Sequence, residues 1–192
     1  ENSQMQIRTL STTASGGRIT DLFVLRGRVS LRIRQLNNPD SRLDIYTPAG
    51  VSGVRGTVFG VAVRPDGETG VATQEGRVAS SAQGQTVFVE TAQQSIIRPG
   101  EPPTPPAPLR DDPALFVEVI RPTGRRDENG FTLIEIAGYT DVVNLLAIKG
   151  EQQRLDREGR FETIVPSDSD GRVSAVITTP LGTVQNYELV AL

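Results

Sequence analysis

Hydrophobic residues in this chain recur at every second position in short bursts, each ended by Gly, Pro, Asn or Asp, which is the pattern of β-strands joined by tight turns. From Phe23 onward the odd positions Phe23, Leu25, Gly27, Val29, Leu31 and Ile33 share one face, expected to be core. Val24, Arg26, Arg28, Ser30, Arg32 and Arg34 share the other. The turn formers Asn37-Asn38-Pro39-Asp40 lead into residues 42–47, where Leu43, Ile45 and Thr47 point inward, so the two strands read as an antiparallel pair. Thr47 to Gly56 is a bend punctuated by Gly50, Gly53 and Gly56 that runs into residues 57–63, apolar or small on both faces. That segment is expected to be a central strand covered on both sides, with Gly60 and Ala62 admitting a close neighbour. Pro65-Asp66-Gly67 turns residues 58–64 back onto 69–74 as a hairpin, Gln83-Gly84-Gln85 turns 77–81 toward 86–90, and Ile96-Ile97 closes the unit. Seven or eight short strands and no helix are expected before Pro99-Gly100.

The stretch Glu101 to Leu109 holds five prolines in nine positions. It favours an extended polyproline conformation about 25 Å long, at ~3.1 Å per residue. The expected organisation is therefore a β domain over residues 1–100, a proline-rich linker over 101–113 and a second β domain over 114–192. In the second domain strands are expected at 115–120, 131–136, 142–148, 153–155, 160–165, 172–178 and 183–190. Turns fall between them at Pro122-Thr123-Gly124, Glu128-Asn129-Gly130, Lys149-Gly150, Glu158-Gly159, Asp170-Gly171 and Leu181-Gly182. Seven strands in about 80 residues predict a β-sandwich.

Composition removes most catalytic chemistry. With no Cys and no His, the chain has no thiol nucleophile, no imidazole base, no disulfide and no soft metal ligand. Gly50-Val51-Ser52-Gly53 misses the serine-hydrolase elbow, whose second glycine would stand at Val54. No phosphate-binding glycine loop occurs. The acid pairs Asp111/Asp112, Asp127/Glu128 and Asp168/Asp170 sit in turns or the linker, where solvated caps are expected, and Ser167 to Gly171 lacks the spaced carboxylates of a calcium loop. The expectation is a chain with no catalytic residue, no cofactor and no metal.

Charge is uneven along the chain. Residues 1–100 carry 11 Arg, no Lys and 8 acids, a net charge near +3, while residues 101–192 carry 9 basic residues and 15 acids, near −6. Arg26, Arg28, Arg32 and Arg34 form a stripe whose like charges need acids beside them. Either Asp44, Asp66, Glu68 or Glu75 pairs with them in an ion network, or the stripe is a candidate binding face for an anionic polymer or an acidic partner. No run approaches the 18 apolar residues of a membrane span. The sequence opens at Glu1 with no basic-then-apolar leader, so a processed form, or one whose signal or anchor lies upstream, is expected.

The run Thr47-Pro48 to Val54-Arg55-Gly56-Thr57-Val58-Phe59, followed by Asp66-Gly67, Gln74-Glu75-Gly76-Arg77-Val78 and Arg98-Pro99-Gly100, resembles the FecR domain family over roughly residues 20–100. The resemblance implies an all-β extracytoplasmic module of stacked antiparallel strands, a sandwich or roll, with Thr47, Arg55, Gly56, Thr57, Glu75 and Gly76 as structural motif residues. Arg55 is expected to satisfy carbonyls in the glycine-rich bend, with Glu75 as its guessed acid partner. It further implies a periplasmic or cell-surface location and an envelope protein partner in signalling, with neither nucleic acid nor a membrane span in this chain. Attachment to cell-wall glycan or an anionic surface polymer is the alternative. In the second domain, Ile136-Ala137-Gly138-Tyr139-Thr140-Asp141, Ile148-Lys149-Gly150, Asp156 to Phe161 and Gly182-Thr183 resemble immunoglobulin-like accessory domains of the glucodextranase domain B kind, which implies a spacer or binding appendage.

Overall fold

The structure, a computed structural model, describes residues 3–191. It is all-β, with strands and no helix among the described residues. The chain divides into two compact units, one of Glu1–Asp111 with Pro180–Gly182 and one of Asp112–Thr179 with Thr183–Leu192.

The first unit contains β1 (Gln4–Thr12), β2 (Arg18–Arg32), β3 (Arg42–Tyr46), β4 (Val51–Val54), β5 (Val58–Val63), β6 (Thr69–Glu75), β7 (Arg77–Ala82), β8 (Gln85–Glu90), β9 (Gln93–Ile97) and β10 (Ala107–Pro108). They form one sheet in the order β10-β9-β6-β5-β2-β3-β4-β7-β8, with β1 added to β2. The sheet doubles over at β2. Residues 19–23 of that strand lie parallel to β3, and residues 27–32 lie antiparallel to β5, so a single strand serves two arms. Between the two stretches Gly27 adopts φ +86°, and a Cβ placed there would stand 2.6 Å from the Ser3 Cα. Only glycine fits such a corner.

The corner also switches which side chains face inward. Before it the buried residues are the even-numbered Leu22 and Val24; after it Val29, Leu31 and Ile33 pack against the core. Phe23 and Leu25, expected inside, are therefore displaced: Phe23 lies half-buried with the Arg8 guanidinium 4.2 Å from its ring, and Leu25 is exposed. The expected antiparallel pairing of β2 with β3 is corrected in the same way. The end of β2 lies in the other arm, so residues 33–41 return the chain to the start of β2, and β3 sets off in the same direction.

One core holds the arms together: Phe59, Val61, Val71 and Ile97 from one meet Leu43, Ile45, Val54, Val78 and Val89 from the other. β5 is the central strand expected, with Phe59, Val61, Ala62 and Val63 fully buried. It pairs with β6 across Pro65-Asp66-Gly67 as a hairpin. The β7–β8 turn is equally tight, with Gln83 and Gly84 at φ +50° and +71°, the mirror-image turn that suits twisted strands.

The proline-rich segment runs along β9. Thr104, the one residue with an N–H between Pro102 and Pro106, donates it to the Ile96 carbonyl at 2.9 Å and accepts the Ile96 N–H on its hydroxyl at 3.0 Å. Ala107 and Pro108 then pair with Gln94 and Gln93. Ala107–Pro108 is thus the edge strand of the first unit's sheet, and the residues before it lie beside β9 without being strand.

The second unit contains β11 (Phe116–Arg126), β12 (Thr132–Tyr139), β13 (Leu145–Ile148), β14 (Glu151–Gln152), β15 (Arg160–Pro166), β16 (Arg172–Thr178) and β17 (Val184–Val190). A three-stranded sheet, β11-β12-β15, faces a four-stranded one, β14-β13-β16-β17. Ile134, Ile136 and Phe161 of the first sheet pack with Leu146, Ile148, Val173, Ala175 and Ile177 of the second. The turn expected at Pro122-Thr123-Gly124 is instead an irregularity inside β11, where the Thr123 hydroxyl donates to the Leu133 carbonyl at 3.0 Å.

A buried ion group closes the β5–β6 hairpin. Arg64, 3% exposed, sets Nη2 2.5 Å from Glu68 Oε1, and Arg98 Nε lies 3.1 Å from Glu68 Oε2. Burial pushes the Glu68 carboxyl upward from its ordinary pKa, against the pull of Arg64 and Arg98. Removing one member of such a group strands the other's charge in a dry site. Glu68→Ala is expected to cost about 3–5 kcal/mol, read as a lower urea midpoint at unchanged slope, whereas Gln85→Ala on the exposed β7–β8 hairpin leaves the stability within about 0.5 kcal/mol of the parent.

Candidate functional site

The motif residues lie where the chain passes between arms. β4 and β7 belong to one arm and β5 and β6 to the other, so residues 55–57 cross in one direction and Gly76 in the other. The two crossings touch. A Cβ on Gly76, at φ +87°, would stand 2.6 Å from the Gly56 carbonyl oxygen, and one on Gly56, at φ +116°, would stand 2.7 Å from the Gln35 Cα. Thr57, buried, donates its hydroxyl to the Arg77 carbonyl at 2.9 Å and accepts the Ile33 N–H on its own carbonyl. Arg55 donates from Nε to the Leu36 carbonyl at 3.3 Å and from Nη2 to the Asn38 carbonyl at 3.4 Å, occupying acceptors that the irregular segment leaves open. Thr47 closes its own turn through Gly50 and accepts a hydrogen bond from Thr69 at 3.0 Å. Glu75 is exposed and forms no pair with Arg55.

Beside these crossings the outer face of the β2-β3-β4-β7-β8 arm carries an open groove of about 730 Å³. Strand register explains its shape. Asp21, Asp44, Gly53, Ala79 and Phe88 line up across five strands, and with only hydrogen and methyl at Gly53 and Ala79 the middle of the row is low. The neighbouring row brings Arg42, Arg55, Arg77 and Glu90 along one side. Arg42 Nε lies 3.3 Å from Asp44 Oδ2, and Arg77 Nε lies 2.7 Å from Glu90 Oε1 with its guanidinium 5.3 Å from the Phe88 ring. The Asp44 pKa is raised, first by burial and further by the Asp21 carboxylate in register beside it, while Arg42 opposes the shift.

Planar guanidinium forks beside carboxylates suit recognition of charged side chains. The groove contains no nucleophile paired with a base, and among the described residues no group of three or more acids could hold a metal ion. The acids noted in turns serve locally. Asp127 accepts the Asn129 and Phe131 N–H groups, Asp112 accepts that of Ala114, Asp168 pairs with Lys149, and Asp170 pairs with Arg172.

The arginine stripe is split by the corner. Arg26 precedes Gly27, opposite Gln4 of β1; Arg28 and Arg32 follow it, and Arg34 lies beyond the end of β2. Asp44, Asp66 and Glu68, offered as partners of these arginines, are engaged by Arg42, Arg64 and Arg98 instead. Arg42, Arg77 and Glu90, which shape the groove, escaped sequence reasoning because the register that aligns four strands is set by the crossings. The alternation of Arg42, Asp44 and Tyr46 against Leu43 and Ile45 was the one local sign of an outward polar face.

Residues 1–79 match the family model described as FecR protein. The match begins earlier and ends earlier than the expected 20–100. No curated protein matches the chain. Two crystal structures of a protein from Parabacteroides distasonis, proposed to be an anti-sigma factor, are similar with a TM-score of 0.44 and 15% identity. Each alignment covers 56% of this chain and 49% of that one, so the chain spans about half the length of the proteins it matches.

Gly56→Ala is expected to destabilise the first unit by at least about 1–3 kcal/mol, since both the torsion and the Gln35 backbone oppose a Cβ; chemical denaturation reads the loss. Asp44 binds its proton in the folded chain at a pH where the unfolded chain has released it. Acidification through the range just above 3.8 therefore adds stability, and that increment is lost as pH rises through the folded value. Asp44→Asn lacks the increment, so parent and variant urea midpoints measured from neutral to mildly acid pH should shift in the parent's favour on the acid side.

Proposed function

We propose that the chain is a non-enzymatic module of the bacterial envelope that acts in signalling through protein–protein contacts, and that the groove beside the crossings is its contact surface. The observation that carries this reading is the placement of the groove: the matched FecR segment contains most of its walls, and Arg42, Arg55 and Arg77 converge there on a floor of Gly53 and Ala79. In this reading the protein works outside the cytoplasm. Thr47, Arg55, Gly56, Thr57 and Gly76 hold the groove's shape, and the second unit is an immunoglobulin-like appendage.

Attachment to glycan or an anionic polymer through Arg26, Arg28, Arg32 and Arg34 finds less support, because the corner at Gly27 prevents those side chains from forming one continuous face. A photoreactive residue at Ala79, introduced into the chain expressed in a Gram-negative envelope, is expected to give one discrete protein adduct that disappears in the Arg42→Ser/Arg77→Ser background. Absence of any protein adduct, together with retention on purified peptidoglycan that fades with salt, would sink this reading in favour of polymer attachment.

A further inference from the structure

Among the described residues the second half of β2 is an open sheet edge. Residues 18–26 have β1 on one side and residues 19–23 have β3 on the other, but residues 27–32 pair, among the described residues, with β5 alone. The hydrogen bonds show which groups face the gap. The Ile33 N–H points toward β5, donating to the Thr57 carbonyl, while the Arg28 N–H points the other way, to the Ser3 hydroxyl at 3.2 Å. Because N–H directions alternate along a strand, Ser30 and Arg32 present their N–H and C=O groups to the open edge. No proline, lysine or inward-pointing charge lies within residues 28–32 to guard it.

The side chains along the gap specify what fits. Inward, Val29, Leu31 and Ile33 pack against the core but are only half-buried, so the core is left uncovered along this margin. Outward, Arg32 and Arg34 are exposed and Arg28 is half-buried with a buried Nε that has no hydrogen-bond partner. None of the three forms an ion pair among the described residues. A strand laid here would turn apolar residues toward Val29, Leu31 and Ile33, and acidic ones toward the arginines.

We infer that residues 28–32 of β2 form a docking edge for an extended partner segment in which acidic and apolar residues alternate, received by strand addition. The occupant is an acidic partner and not a second copy, since a copy would bring an equally basic edge against this one. The inference rests on the reading of the chain as a protein-contact module and gives it a second, separate surface.

The probe is an acetylated, amidated peptide of alternating Glu and Val, with its Lys–Val counterpart as control, titrated into the full chain while backbone amide resonances are followed. The Glu–Val peptide is expected to shift the Ser30 and Arg32 amides and to bind at least about tenfold more tightly than the Lys–Val peptide at low salt. Ser30→Pro removes a donor that β5 does not use, a position where edge strands tolerate proline, and is expected to weaken binding at least about tenfold. Arg32→Glu/Arg34→Glu alters exposed side chains only and is expected to reverse the peptide preference, so the test survives if the proline variant fails to fold. Equal binding of both peptides, undiminished binding by folded Ser30→Pro, or concentration-dependent self-association abolished by Ser30→Pro would each overturn the inference. The Ala79 adduct is an independent readout: its persistence in Ser30→Pro alongside lost peptide binding leaves the groove reading standing, and its absence with peptide binding intact does the reverse.

Discussion

The first unit depends on one backbone torsion. A strand that belongs to two layers has to turn between them without leaving its ladders, and Gly27 does this at φ +86° with the Ser3 backbone against it. From that corner follow the reversal of the inward parity, the parallel course of β3 and the opposition of the two arms across a common core. A side chain at this position would disturb torsion and packing together, because the space a Cβ needs is already filled.

The crossings at Gly56 and Gly76 complete what the corner begins. A chain that changes layers gives up regular hydrogen bonds at each passage, and the orphaned carbonyls need donors nearby. Arg55 serves Leu36 and Asn38, Thr57 serves Arg77, and Thr47 closes its own turn, so the motif residues are engaged in holding the layers. The recognition capacity of this face therefore lies in neighbours such as Arg42 and Arg77, whose guanidinium groups are held by exposed or half-exposed acids and not by backbone.

Strand content was largely legible from alternation and turn residues, as the β5–β6 and β7–β8 hairpins and most strands of the second unit illustrate, although the strand expected at 153–155 is not formed and the short β14 lies at Glu151–Gln152 instead. Topology was not. Phe23 and Leu25 continue the parity of Val29 and Leu31 in the sequence, and only a left-handed glycine, invisible to a period-two pattern, breaks it. β1 was missed because Gln4 to Thr12 has no buried face to impose a clear alternation; Met5, Ile7 and Leu10 are all exposed. The groove was illegible for another reason. Gly53 and Ala79 are unremarkable residues that become a floor only when register places them side by side.

The segment after Ile97 bears on how far such a sheet can grow. Pro102, Pro103, Pro105, Pro106 and Pro108 lack N–H groups, so the segment along β9 offers an incoming chain few donors, while Thr104 spends its own on Ile96. The arm that begins at the free margin of β2 is thus sealed at its opposite border. Molecules cannot stack border to border through this layer into an endless ribbon, and any chain accepted at one side ends the series.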